Sequence, residues 1–266
     1  MGMILDFPIL AALIFSVALN LLFFLIAMAS QTDKLTDFTY SLSFLLLDAV
    51  FFFLAFLGGQ VGVIEIMMAI FVAFWALRLG AYLFRRILLM GSDARFDGRR
   101  ENFWAFLLFW LIQAVAAWAV MTPVLLLFMA EPLLEIPLLT WVGLGLFVLG
   151  FVLESLADAQ KFVYRSRAEN DGHWVDQGLW RYSRHPNYLG EIILWWGLYF
   201  AAIPVLQGWD YLSGLGPLYL TLMLLFVTGV PLLEQKAQKA YGDREDFAVY
   251  RKSTGLLFPH FPGHAS

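Results

Sequence analysis

The sequence predicts an all-α integral membrane protein, a bundle of seven transmembrane helices with the N-terminus outside and the C-terminus in the cytoplasm. Three observations carry that expectation. The 266 residues are 61% hydrophobic and only 14% charged, which leaves too little polar surface for a soluble domain. Seven long, largely uncharged apolar runs follow one another, each near the roughly 20 residues that a helix needs to cross a bilayer. The basic residues are confined to alternate loops.

The runs fall at 7–29, 39–57, 63–84, 103–129, 137–157, 189–206 and 212–233. A transmembrane β-barrel would show short alternating strands instead. The first run follows MGMILDFP, which has no basic n-region, so no cleavable signal peptide is expected. The second carries Asp48 near its middle, and the third carries Arg78 and Tyr82 one turn apart. The fifth contains GLGLFVLG (143–150), whose glycines lack the spacing and preceding strand of a dinucleotide fingerprint. The sixth helix should start near Pro186, because proline favours the first turn, where its missing N–H would be unpaired anyway. No linker, repeat or low-complexity tract interrupts the chain, which reads as one membrane domain over 1–266.

Orientation follows from the loops. Lys34, Arg85, Arg86, Arg95, Arg99, Arg100, Lys161, Arg165, Arg167, Arg181, Arg184 and the five basic residues of the tail lie on one side. The opposite loops hold only acids such as Glu131, Glu135 and Asp210. Of the 17 basic residues, Arg78 alone sits inside a span. Chemistry on a soluble cytosolic molecule is therefore expected on the basic face, where 85–102, 158–188 and 234–266 are the substantial pieces. Cysteine is absent, which excludes disulfides, thiolate chemistry and Cys-based metal sites. No P-loop, HExxH or GxSxG occurs, and no basic domain interleaved with aromatics stands apart for nucleic acid. Neither a metal site nor a protein partner is expected.

Polar residues cluster where the fifth and sixth runs meet the basic face. In LESLADAQKFVYRSR (153–167), Glu154, Asp158, Lys161 and Arg165 form one helical stripe. The stripe suits a salt-bridged helix end or a polar wall against a cofactor, and Glu154, still inside the apolar run, favours the wall. Arg165 suits a phosphate. In WRYSRHPNYLGEIILWW (180–196), Asn187 and Glu191 share a face that Trp195 continues inward, and His185 and Tyr188 are further donors. A helix start there favours an anionic group. GSDARFDGRR (91–100) adds Asp93, Arg95 and Arg99, which also fit plain inner-face charge. Apolar surroundings favour the neutral acid at Asp48, and a protonated carboxyl can donate to a carbonyl oxygen. A helix–helix hydrogen bond is the alternative role for Asp48, and an ion pair the alternative for Arg78.

These blocks together resemble a known family. RYSRHPNYLGE (181–191), LESLADAQK (153–161), WALRLGAYL (75–83), SDARF (92–96) and AYGDREDFAVYRKSTGLLFP (240–259) look like bacterial membrane proteins carrying the steroid 5-alpha-reductase C-terminal domain. The resemblance covers about residues 40–260. It implies a seven-helix enzyme of the bacterial inner membrane, with its cofactor site facing the cytoplasm. Such an enzyme uses NADPH to reduce a carbon–carbon double bond conjugated to a ketone, in a steroid-like apolar substrate that enters from the bilayer lipid. By position, Asn187 and Glu191 match the family's Asn and Glu that hold the cofactor, Asp158 and Arg165 match an Asp and an Arg, and Tyr82 matches a tyrosine of the third span. Tyr241 and Tyr250 fall where the family has aromatic cofactor contacts. Lys161, His185, Tyr188, Asp93 and Arg95 complete the expected cofactor set.

The sequence also departs from the family. The Gln–Glu pair of the eukaryotic enzymes' second span is replaced by Asp48 alone, Trp75 stands near the expected tyrosine, and Glu154 replaces an Asn. Asp48, with Tyr82 or Arg78 as substitutes, is therefore the expected donor to the ketone oxygen. The same RHPxYxGE block occurs in isoprenylcysteine and phospholipid methyltransferases, which use S-adenosylmethionine. That is the alternative activity.

Overall fold

The structure, a computed structural model, describes residues 7–90 and 96–259. Nine α-helices lie among them: α1 (Pro8–Ala29), α2 (Thr36–Leu57), α3 (Val63–Met90), α4 (Phe103–Met129), α5 (Leu138–Arg165), α6 (Pro186–Ala202), α7 (Leu215–Leu222), α8 (Val230–Tyr241) and α9 (Glu245–Ser253). Among the described residues, the one extended pairing is an isolated bridge between Ser183 and Gly255.

Seven segments are long and apolar enough to cross a membrane. The seventh, Gly208–Tyr241, is assembled from a 3-10 segment (Gly208–Gly214), α7, a π turn (Met223–Val227) and α8. Between 22% and 56% of each span is buried inside the protein, and side chains such as Phe53, Phe56, Phe74 and Leu77 are left exposed. Apolar surface on that scale is a liability in water and is solvated in lipid. The chain is an all-α integral membrane protein. α6 begins at Pro186 as its proline predicts. α3 and α5 outrun their apolar stretches, to Met90 and Arg165, because the Arg, Lys, Gln and Ala that follow are good helix formers.

The chain divides into two compact units, Met1–Trp141 with Leu198–Gly216 and Val142–Gly197 with Pro217–Ser266. In unit 1 a buried polar network ties α1, α2 and α4 together. Ser16 Oγ donates to Ala114 O at 2.8 Å, Asn20 Nδ2 to Ser43 Oγ at 3.0 Å, and Gln113 Nε2 to Asn20 Oδ1 at 3.0 Å. Lipid tails are as apolar as leucine, so bonds like these fix which helix faces meet. Beside the network, Phe24, Phe96, Phe106 and Trp110 form an apolar cluster. Arg86 pairs with Asp37 at 2.7 Å, while Arg100 pairs with Asp97 and, at 3.5 Å, with Asp33.

Unit 2 is organised by glycine. α5 and α6 run antiparallel with their backbones in contact at Gly150 and Gly190, and again at Gly143 and Gly197. A Cβ at Gly150 would stand 2.5 Å from Gly190 O, one at Gly190 would stand 2.6 Å from Glu154 N, and one at Gly197 would stand 2.6 Å from Gly143 O. No side chain fits at those distances, so van der Waals packing of backbone on backbone holds the pair.

Gly150→Ala and Gly190→Ala should each destabilise the protein by about 1–3 kcal/mol through overpacking. Gly145 of the same helix has nothing within 4 Å of its added Cβ. Gly145→Ala should therefore be neutral, or stabilising by up to about 1 kcal/mol. Thermal unfolding in mild detergent measures all three. Equal losses at the three positions would remove backbone contact as the cause.

Candidate functional site

The glycine contact sets the first wall of the site. Because α6 lies against α5, Asn187 comes level with Asp158, and Asn187 Nδ2 donates to Asp158 Oδ1 at 3.2 Å. Glu154 and Asp158 are buried at 2% and 5% exposure. The Oδ1 of Asn187 is buried and accepts no hydrogen bond among the described residues. Glu191, one turn further along α6, is half-buried on the same face, and Trp195 continues that face into the core. Two buried carboxylates and a half-satisfied amide are costly in an apolar helix pair, which marks a place for polar chemistry.

The connection between α5 and α6 folds back on this wall. Gly178 sits at φ +58°, a conformation that favours glycine, with Gln160 against it; Leu179 N donates to Gln160 Oε1 at 2.9 Å. Trp180 Nε1 donates to Ala157 O at 2.9 Å, and Lys161 Nζ lies 4.7 Å from the Trp180 ring. Arg165, at the last turn of α5, is exposed.

The tail then covers the connection. Arg184 N donates to Gly255 O at 2.8 Å, Gly255 N to Tyr182 O at 3.3 Å, and Ser183 Oγ to Leu257 O at 2.7 Å. The Tyr250 hydroxyl lies 2.8 Å from Trp180 O and 3.2 Å from Val175 O and donates between them. Burial pushes its phenol pKa up, so it remains a donor. Tyr241 donates to His173 O at 3.3 Å, and Arg244 lies over Trp174 at 4.8 Å while donating to Gly172 O at 3.1 Å. The two tail tyrosines, expected as cofactor contacts, hold the connection's backbone.

One carboxylate joins these parts. Glu234 of α8 accepts from His185 Nε2 at 2.9 Å and forms ion pairs with Arg184 Nη1 at 2.9 Å and Arg251 Nη2 at 3.4 Å. The His185 ring stacks on Tyr188 at 5.7 Å. Burial lowers the His185 pKa from its ordinary value, against the pull of Glu234. The sequence reading overlooked Glu234, Arg184 and Arg251. Glu234 is a lone acid directly after an apolar run, and that was its signal.

In unit 1, Asp48 is 3% exposed, and its Oδ1 has no hydrogen-bond partner among the described residues. Arg78 and Tyr82 are half-buried on α3. Asp93 and Arg95 lie outside the described residues. A cleft of about 430 Å³ in the same unit is lined by Leu126, Met129, Leu133, Glu131 and Asp210 among others. It contains none of the sequence-selected residues. We take the unit 2 wall as the candidate cofactor site, because its carboxylates Glu154 and Asp158 are buried, whereas at the cleft Glu131 is exposed and Asp210 half-buried. Among the described residues, no group of three or more His, Asp or Glu side chains could hold a metal.

Fold and site together define a seven-span helical membrane protein with a polar site built on its fifth and sixth helices. The chain belongs to the family described as a protein of unknown function (DUF1295), whose model matches residues 23–254. It is also similar to an uncharacterized protein of Schizosaccharomyces pombe, 32% identical over 147 residues, which is 46% of this chain and 40% of that protein. The chain thus spans well under half the length of that relative. No solved structure matches it.

Two measurements test this description. Tyr250→Phe removes a half-buried donor from two carbonyls and should cost about 1 kcal/mol. Limited proteolysis should then cut within 172–185 sooner than in the wild type. A lowered His185 pKa means that the unfolded chain binds more protons near pH 6. Stability should therefore fall as pH drops from neutral through 6.5, the ordinary histidine value. Unfolding temperatures of His185→Asn should show a shallower fall over the same window.

Proposed function

We propose that this protein is a membrane reductase that uses NADPH to reduce a carbon–carbon double bond conjugated to a ketone, in an apolar substrate of the 3-oxo-4-ene steroid class. The observation that carries the reading is Asn187, whose amide is bonded to Asp158 on one side and left without a partner among the described residues on the other. An amide oxygen of this kind suits a carboxamide N–H or a ribose hydroxyl. The sequence resemblance supplies the reaction class.

The residues present fit such a cofactor. Asp158, Asn187 and Glu191 would accept from its hydroxyls and carboxamide, and His185 and Tyr188 flank them. Lys161 and Arg165, toward the end of α5, would meet phosphate. Bound NADPH supplies the hydride that goes to the β-carbon, and a solvent proton completes the α-carbon. The protein's own task is to orient the cofactor and to stabilise negative charge on the ketone oxygen. Asp48 supplies that donor in its protonated form, an assignment that rests on its own burial and orphan oxygen. Tyr82 and Arg78 are the substitutes. The basic loops argue that the cofactor reaches the site from the cytoplasm.

Thermal unfolding of detergent-purified protein with saturating NADPH, NADH or S-adenosylmethionine tests the class. A ligand at about 100 times its dissociation constant stabilises by about 2.7 kcal/mol. NADPH should raise the unfolding temperature, and Asn187→Ala or Glu191→Gln should abolish that rise in a folded protein. Asp48→Asn should lower turnover of a steroid enone with little change in NADPH affinity. Stabilisation by S-adenosylmethionine alone would overturn the reductase and put Asn187 and Glu191 in a methyltransferase.

A further inference from the structure

We propose that Glu234 is a positioning residue that fixes the His185 ring as a hydrogen-bond acceptor for the bound cofactor. The proposal rests on the cofactor-binding reading of the unit 2 wall and adds to it a residue from the last span and a role opposite to the expected one. A carboxylate that receives Arg184 at 2.9 Å and Arg251 at 3.4 Å stays ionised and can only accept. His185 Nε2, 2.9 Å from the same carboxylate, must therefore carry the ring proton. A neutral imidazole with its proton on Nε2 presents a lone pair at Nδ1.

That atom is buried and has no partner among the described residues, although the residue as a whole is only 4% exposed. The ring cannot easily turn to satisfy it. Tyr188 stacks on one face, and the backbone of the residue is held between the tail pairing at Ser183 and the start of α6. His185 immediately precedes Pro186, and the orphan Asn187 Oδ1 lies in the next residue. Two buried acceptors two residues apart, both lacking a donor, call for a ligand that offers O–H or N–H groups. A phosphate, whose second pKa is about 6, is mostly deprotonated at neutral pH and offers few. The geometry therefore points to the sugar or carboxamide part of a nucleotide at this turn and leaves phosphate to Lys161 and Arg165. Glu234 would act on the ligand through His185, whose Nε2 it holds.

The test pairs a ligand-free spectrum with a binding series. The chain has four histidines, so ¹⁵N-histidine labelling gives a short spectrum in which loss of a signal in His185→Asn assigns the residue. The wild type should show Nε2 protonated and Nδ1 bare. Glu234→Gln, whose amide oxygen still accepts, should keep that tautomer, and Glu234→Ala should give a mixture. NADPH affinity should follow. His185→Asn places an oxygen near the Nδ1 position and should bind within about threefold of wild type. His185→Gln keeps a donor toward Glu234 but no acceptor at Nδ1, and should weaken binding by at least about tenfold, or 1.4 kcal/mol.

A ring protonated on Nδ1, or a tautomer indifferent to Glu234→Ala, overturns the proposal. So does the reverse ranking, in which His185→Gln binds like wild type and His185→Asn does not. If the wild type binds no NADPH at all, the reductase reading fails. The positioning role of Glu234 is then still decided by the ligand-free tautomer.

Discussion

The contact that unit 2 depends on is the backbone-to-backbone seat of α5 on α6. In lipid the hydrophobic effect does not drive one helix onto another, so close packing and hydrogen bonds must do it. Glycines seven apart on each helix, 143 and 150 against 197 and 190, present two flat seats in register. The antiparallel register follows from them, and the register places Asn187 beside Asp158. A bulkier helix pair would hold its polar side chains further apart, beyond the reach of a 3.2 Å bond. Tight packing and the chemistry of the wall are thus one requirement.

A second layer sits on the first. The connection from α5 to α6 pairs with itself in two short 3-10 segments, and its carbonyls at 172, 173, 175, 180, 181 and 182 take donors from the tail. In return, Glu234 gathers two arginines and a histidine from two other stretches of chain. The tail is a structural part of the site, and the tyrosines that look like ligand contacts in the sequence are donors to backbone.

Much of this was legible before the structure. All seven spans follow from hydropathy alone, and Pro186 marks the neighbourhood in which α6 starts. The buried acids were legible too, because Glu154, Asp158 and Asp48 stand where a membrane gives them no reason to be. What the sequence hid is long-range. The glycines of 143–150 could be dismissed as a nucleotide loop, but their partners lie 40 to 54 residues away on another helix. No local period reports such a pairing. Glu234 was hidden for the same reason. Its three partners are separated from it by 50, 49 and 17 positions, and at the end of an apolar run it reads as ordinary tail charge.

The π turn at Met223–Val227 has a consequence for how the last span is compared with those of other proteins. Thr228 N donates to Met223 O at 2.8 Å, five residues back, where an α-helix would reach four. The wider turn takes in one additional residue, and one residue is about 100° of rotation. Everything downstream, Glu234 included, faces a direction that a regular helix of the same sequence would not give it. A relative with one residue fewer at this point could carry the same carboxylate in the same place on a plain helix. An alignment forced through without a gap would pair Glu234 with the wrong side of its counterpart.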